Sequence, residues 1–255
     1  MITLSSDFGT PYPAAMKGVI LDRCDARLVD VAHDFPRQDV RASAFWLREV
    51  LPYFPPAVHL VVVDPGVGTD RAVLVVRAGE HALVGPDDGV LVPVARELAR
   101  AAGENAPGYF EVGVEDPASS TFHGRDVFAP IAAAVHEEGF EEFVADPDVS
   151  PANDPVDCVL PSADVEGNRA VGEVLVVDGF GNAITNVPGS FLADVEAVAV
   201  DGTIVPAVET FAAVEPGDRL ATVGSHGNVE LDVNRGRGDE AFGLHPGDEV
   251  RLERR

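Results

Sequence analysis

Lysine is almost missing from this chain. Lys17 is the only one, beside seventeen arginines and forty-three acidic residues in 255, for a formal net charge of −25. A field of that sign repels phosphate backbones and no basic stripe interrupts it, which argues against nucleic acid as a partner. The acid is spread along a chain that is 46% apolar, as on the surface of a folded protein rather than in a disordered tail. Lysine depletion with excess Asp predicts a halophilic protein, working where salt screens the self-repulsion. Cysteine is scarce too: Cys24 and Cys158 lie far apart with no Cys-x-x-Cys, predicting free thiols in a reducing compartment. No apolar run nears the ~20 residues of a membrane span, and Met1 to Asp7 carry no basic leader, so no membrane and a cytoplasmic location are expected. Gly-x-Ser-x-Gly is absent, which disfavours a serine hydrolase, and so is the Gly-x-Gly-x-x-Gly of dinucleotide folds. His33-Asp34 or His123 with Asp126 could supply metal ligands, but nothing has the spacing of a known zinc motif, so no metal site is assigned.

What is present is organised around Leu60-Val61-Val62-Val63-Asp64-Pro65-Gly66-Val67-Gly68. Four apolar residues, preceded by Val58, predict a strand buried on both faces, and the run ends at a carboxylate followed by a shaped Pro-Gly turn. In open parallel sheets ligands bind beyond the carboxyl ends of strands, which is where Asp64 falls. Arg71 opens the next apolar run, and an ordinary surface Asp–Arg pair is the alternative. Ile2 to Leu4 repeat the same grammar, a short strand stopping before Asp7. A helix around Met16 and Ile20 and a strand at Leu28–Val31 then imply a parallel pair. Asp39 is a candidate N-cap for a helix to about Leu51. Ala72–Val76 and Ala82–Val84 suggest a hairpin, and helices are expected over Pro93–Ala102 and Val127–Glu138.

Residues 146–168 are rich in Pro and Asp and are expected to be a linker. It divides an N-terminal α/β domain with a mainly parallel sheet, residues 1–145, from residues 169–255, where short apolar runs at close spacing predict an all-β barrel or sandwich. Asp201-Gly202 is a hairpin signal. Three loops bring chemistry to strand ends: Asp7; Asp64 with Arg71; and His123 with Arg125 and Asp126. Together such groups can orient and activate a water, or they can be separate surface ion pairs. In the β part, Asp178, Phe180 and Asn182 offer an anion, a flat face for a base and a paired donor and acceptor, or simply an Asx turn. Gly224-Ser225-His226-Gly227 is a second polar turn.

The ordered set Ser6-Asp7-Phe8-Gly9, Met16-Lys17-Gly18-Val19, Asp30 to Pro36, Val63 to Gly68, Gly85-Pro86-Asp87, Thr121 to Asp126, Phe180-Gly181-Asn182 and Ile184-Thr185-Asn186 spans nearly the whole chain. It resembles the S-adenosylmethionine (SAM) hydrolases, also called SAM hydroxide adenosyltransferases, which are related to the SAM-dependent fluorinase and chlorinase. The resemblance implies an enzyme that hydrolyses SAM to adenosine and methionine by attack of water on ribose C5′, with SAM as substrate and no cofactor. Asp64, Arg71 and His123 would match a catalytic triad that handles the water: Arg71 stabilising hydroxide character, His123 bonding the water, Asp64 orienting both. Asp7 with Phe8 would match the turn that grips the ribose diol. Asp178, Phe180, Asn182, Ser225 and His226 would match positions that hold methionine and adenine. A homotrimer is also implied, its sites lying between one subunit's N-terminal domain and a neighbour's C-terminal one. Thr10-Pro11-Tyr12-Pro13 is shorter than usual and lacks an Asp common there, and Gln38 stands where an aromatic is common. Halide transfer to the same carbon, and SAM or adenosine binding without turnover, are the alternatives.

Overall fold

The computed structural model describes residues 1–114 and 119–255, and the chain divides into two compact units, Met1–Val159 and Leu160–Arg255. In the first unit the chain runs β1 (Ile2–Ser6), α1 (Tyr12–Leu21), β2 (Leu28–Ala32), α2 (Val40–Val50), β3 (Val58–Val62), β4 (Val73–Ala78), β5 (His81–Pro86), α3 (Val92–Ala101), β6 (Gly108–Val112), α4 (Ala129–Glu138), α5 (Phe140–Phe143) and β7 (Val149–Pro151). These strands form one sheet in the order β2-β1-β3-β5-β4-β6-β7. β2, β1, β3 and β5 are parallel neighbours, and β4, β6 and β7 complete the sheet antiparallel.

The period-2 geometry of a strand explains why Leu60 to Val63 read as an unbroken apolar run. Leu60 and Val62 point into a core shared with Met16 and Ile20 of α1 and Ala132 of α4, whereas Val61 and Val63 point into a second core with Leu47 of α2 and Leu98 of α3. Helices therefore cover both faces, and each fully buried Leu or Val contributes roughly 1.5–3 kcal/mol. Asp39 caps α2 as expected, its Oδ1 accepting the Ala42 N–H at 2.9 Å. β4 and β5 are the expected hairpin.

The second unit runs β8 (Asp164–Glu166), β9 (Arg169–Val177), β10 (Ala183–Pro188), β11 (Ala197–Val200), β12 (Thr203–Pro206), β13 (Arg219–Val223), β14 (Asn228–Val233), α6 (Gly238–Phe242) and β15 (Glu249–Arg254). Its strands pair antiparallel in the order β12-β11-β15-β9-β10-β14-β13, with β8 pairing the Arg169–Val171 end of β9. The ends of this order come together through a bridge between Ala207 and Ala221, so the sheet nearly closes on itself. Closure removes the exposed strand edges that invite aggregation. β11 and β12 are joined through Asp201 and Gly202, both at positive φ, the conformation that a tight hairpin requires.

Within residues 146–168, β7 extends the first sheet and β8 joins the second, and the division between the units falls between Val159 and Leu160. Cys24 is buried, Cys158 is half-buried, and both are free. Among the described residues no helix is long and apolar enough to cross a membrane.

Candidate active site

Three segments of the first unit converge beyond the carboxyl ends of its parallel strands. Asp64 follows β3. The turn after it is held by Thr69, whose hydroxyl donates to the Gly66 carbonyl at 2.6 Å. Gly68 at φ +79° is obligatory there, since a Cβ would lie 2.8 Å from the Ser120 carbonyl oxygen. This close approach seats the turn on the segment that carries His123. His123 itself begins a π-type turn, Gly124–Phe128, leading into α4.

Arg71 ties the group together. Its Nε donates to Asp64 Oδ1 at 2.7 Å, one Nη2–H donates to Asp64 Oδ2, and Nη2 also donates to His123 Nδ1 at 3.0 Å. The guanidinium lies 4.9 Å from the centre of the Phe128 ring. The side chains of Arg71 and Asp64 are only 10% and 6% exposed, which makes this a sheltered, bidentate pair rather than a surface contact. One consequence is fixed by donor and acceptor inventory. Arginine can only donate, so His123 Nδ1 accepts and the ring keeps its proton on Nε2.

Beside this group is a cleft of about 630 Å³, lined by Asp7, Phe8, Tyr12, Asp64, Phe122 and His123 among others. Asp7 is buried and its Oδ2 accepts the Gln38 N–H at 2.7 Å. Phe8, Tyr12 and Phe122 meet edge to face with centroids 5.5 to 6.1 Å apart, building an apolar wall. Arg71 is not part of the lining: it holds Asp64 and His123 from behind. Arg125 and Asp126 pair with each other at 2.6 and 2.8 Å, so of the three polar side chains His123, Arg125 and Asp126 only His123 joins the cluster. His33 bonds Ser6 Oγ at 2.7 Å and Asp30 at 3.0 Å, a structural chain that ends on Lys17. Among the described residues no group of three His, Cys, Asp or Glu has an arrangement that could hold a metal ion.

Sequence reasoning did not single out Tyr12, Arg37 or Phe122 as lining. Tyr12 sits in the shortened Thr10–Pro13 stretch, and Gln38 lines the cleft while its backbone holds Asp7.

In the second unit, Asp178 organises the loop between β9 and β10. Its Oδ1 accepts the backbone N–H groups of Phe180 at 2.8 Å and Asn182 at 2.9 Å, and its Oδ2 accepts the Asn182 side-chain amide at 3.0 Å. This is the Asx turn the sequence allowed. It leaves Phe180 81% exposed. Phe180, Asp178, Asn182, Phe211 and Ser225 line a second cleft of about 880 Å³. His226, expected among the substrate-holding groups, does not line it: Nδ1 accepts the Asn228 N–H at 3.2 Å and Nε2 donates to Glu230 at 2.9 Å. On the same strand face as Glu230 lies Asp232, fully buried, its two carboxyl oxygens without a hydrogen-bond partner among the described residues. Burial beside Glu230 and Asp178 pushes its carboxyl up to about 8.

A carboxylate and an imidazole N–H face an open cleft, with a guanidinium locking both from behind, an arrangement chemically able to hold and polarise a small nucleophile. The first unit carries it at the ends of a parallel sheet, and the second unit is a nearly closed β barrel. Residues 2–143 match the model of the SAM hydroxide adenosyltransferase N-terminal domain and residues 172–251 that of the C-terminal domain, and the chain belongs to this family. It is 40% identical over 260 residues to a Salinispora tropica protein named (R)-S-adenosyl-L-methionine hydrolase, covering 98% of this chain and 97% of that one. A Thermus thermophilus protein of the same name is 42% identical over 263 residues, covering 97% of each. Among solved structures, an uncharacterised conserved protein from Thermotoga maritima superposes with a TM-score of 0.82 at 31% identity, with all of both chains covered.

Proposed function

We propose that this enzyme hydrolyses SAM to adenosine and methionine by attack of water on ribose C5′. The observation that carries the reading is the Asp64–Arg71–His123 cluster on the cleft, in a chain whose named relatives are SAM hydrolases. A bond forms between the water oxygen and C5′, the C5′–S bond breaks with its pair going to sulfur, and the sulfonium leaves as a neutral thioether. The leaving group needs no proton, so the work of the site is to hold the water in line and to accept the proton that it sheds. In this mechanism His123 Nε2–H donates to the water and Asp64 accepts from it. Arg71 fixes both and places positive charge behind developing hydroxide. Asp7 accepts the ribose hydroxyls beside Phe8. Phe180 offers its exposed ring to the base, and Asn182 and Ser225 supply polar contacts. Asp178 shapes the loop that presents them, and His226 supports Ser225 from within its turn. No cofactor or metal takes part, and the protein works in the cytoplasm.

Incubation with SAM should yield adenosine and methionine in equal amounts with a chelator present, and ¹⁸O from labelled water should appear at the 5′ oxygen. Activity should rise with salt, and molar chloride should not divert product to 5′-chloroadenosine. Chlorinated product would move the assignment to halide transfer, and SAM recovered intact would leave a binding protein. The relatives' name specifies the (R) sulfonium, so both epimers belong in the assay, with (R) consumed first.

We further propose a homotrimer in which one subunit's triad and a neighbour's Phe180 and Asn182 serve one substrate. Inactive Asp64→Asn and inactive Asn182→Ala subunits, unfolded and refolded together, should then regain part of the parent activity. A mixture as inactive as its components would show that each subunit serves its own substrate.

A further inference from the structure

The strand order places one more carboxyl at the triad. β5 lies between β3 and β4, with Leu60 of β3 opposite Val84 of β5. Asp64 and Asp88 lie equally far beyond that pair along parallel strands, so the register sets them side by side. On the other flank the Asp87 N–H donates to the Ala72 carbonyl at 3.0 Å, which puts Asp88 next to Arg71. Asp88 Oδ1 accepts the Val90 N–H at 3.0 Å, whereas Oδ2 is enclosed and has no hydrogen-bond partner among the described residues.

The segment around residues 155–158 covers this corner of the first unit. Asp87 Oδ1 accepts the Val156 N–H at 2.8 Å, and Arg96 grips Asp157 with two bonds of 2.9 and 3.1 Å. Gly89 is so close beneath that a Cβ would lie 2.9 Å from the Cys158 Cβ. The groups facing Asp88 are thus Asp64 beyond β3, Arg71 before β4, Asp87 on its own loop, and Asp157 and Cys158 on the cover. Burial is the main influence on Asp88 and pushes it up to about 7, with Asp64 and Asp87 adding to the rise and the Val90 N–H and Arg71 opposing it.

Hydrolysis of SAM releases one proton from the attacking water. His123 cannot take it at Nε2, which already carries one, and both oxygens of Asp64 are bonded to Arg71. We propose that Asp88 is a positioning residue of the hydrolytic site, whose carboxylate offsets the charge of Arg71 so that Asp64 can accept the proton the water sheds. The inference rests on the SAM hydrolysis reading of the same site. Asp88 does not line the cleft, so it acts through Arg71 and Asp64 rather than on substrate.

The test is the pH dependence of kcat for adenosine formation from SAM. In the unmodified protein kcat should rise through about pH 7 as Asp88 ionises. Asp88→Asn keeps the shape and the acceptor for Val90 but not the charge. It should lose that inflection and lower kcat roughly tenfold, the factor that a change of one pKa unit at the proton acceptor carries, with KM little changed. Arg96→Gln, which loosens the cover and hydrates Asp88, should move the inflection to lower pH, and this arm decides the matter if Asp88→Asn fails to fold. A parental inflection and kcat in Asp88→Asn, or an unmoved inflection in Arg96→Gln, overturns the proposal. No adenosine from the unmodified protein would instead remove the hydrolysis reading, and this inference with it.

Discussion

Arg71→Ala is expected to lower kcat for SAM hydrolysis by about a hundredfold or more, the range seen when one preorganised electrostatic group is removed from an active site. The effect should exceed that of His123→Ala because Arg71 supports two partners at once. Without it, Asp64 is a sheltered carboxylate with no counter-charge, and the His123 ring loses the donor that fixes its tautomer. A water can stand in for the imidazole N–H of His123 but not for the guanidinium. Arg71→Lys should recover little, since an ammonium cannot make the parallel bonds to both carboxylate oxygens while also reaching Nδ1 of His123. Steady-state kinetics on protein with a parental circular-dichroism spectrum is the check. Unchanged turnover in folded Arg71→Ala would remove the triad from the mechanism.

Arg71 also shows what kind of information the sequence carried. The strand ending at Asp64 was legible because both faces of β3 are buried, which makes an apolar run with an abrupt polar stop. The hairpin of β4 and β5, the cap at Asp39 and the turn at Asp201-Gly202 were legible because each is a local device with its own chemistry. β6 and β7 were not. Gly108–Val112 lies half-exposed near the sheet edge, so neither alternation nor a continuous apolar run marks it, and β7 is three residues long. The resemblance supplied the triad as a set of residues. The arrangement depended on strand order: His123 is 52 positions from Arg71, and nothing local says which of its nitrogens meets the guanidinium.

The directions of two polar side chains near the candidate sites were hidden for the same reason. Asp88 is the second of two acids in the loop after β5, and its place beside Asp64 follows only from the position of β5 between β3 and β4. His226 sits in a polar turn that suggests a ligand contact, yet Glu230, four positions on, engages it. In both cases the residue type was visible and its direction was not, because direction is set by pairing register and by the partner that claims the side chain first.

The largest expected effect on stability concerns a histidine near the start of β3. His59 is fully buried, its Nδ1 2.8 Å from the Thr3 hydroxyl and its Nε2 2.9 Å from Nδ1 of His81. Phe54 closes over it edge to face, with centroids 6.3 Å apart. Burial first, and the neighbouring His81 second, push its pKa down from 6.5 to about 3. The folded chain therefore keeps His59 uncharged over a range in which the unfolded chain takes up a proton. The stability that His59 contributes is whole above about pH 6.5 and falls as pH drops towards 3, by up to about 1.4 kcal/mol per pH unit, on the order of 5 kcal/mol in all. That is comparable with the whole stability of an ordinary domain, so acid should unfold the first unit well before its carboxylates are all protonated. Trp46, the only tryptophan, lies in α2 and reports on this unit by fluorescence. His59→Gln can keep both hydrogen bonds without a group that titrates in this range. Its denaturant midpoint should fall less steeply between pH 6.5 and 3 than the parent's, even if it is lower at pH 8. Parallel pH profiles for the two proteins would place the acid sensitivity elsewhere in the fold.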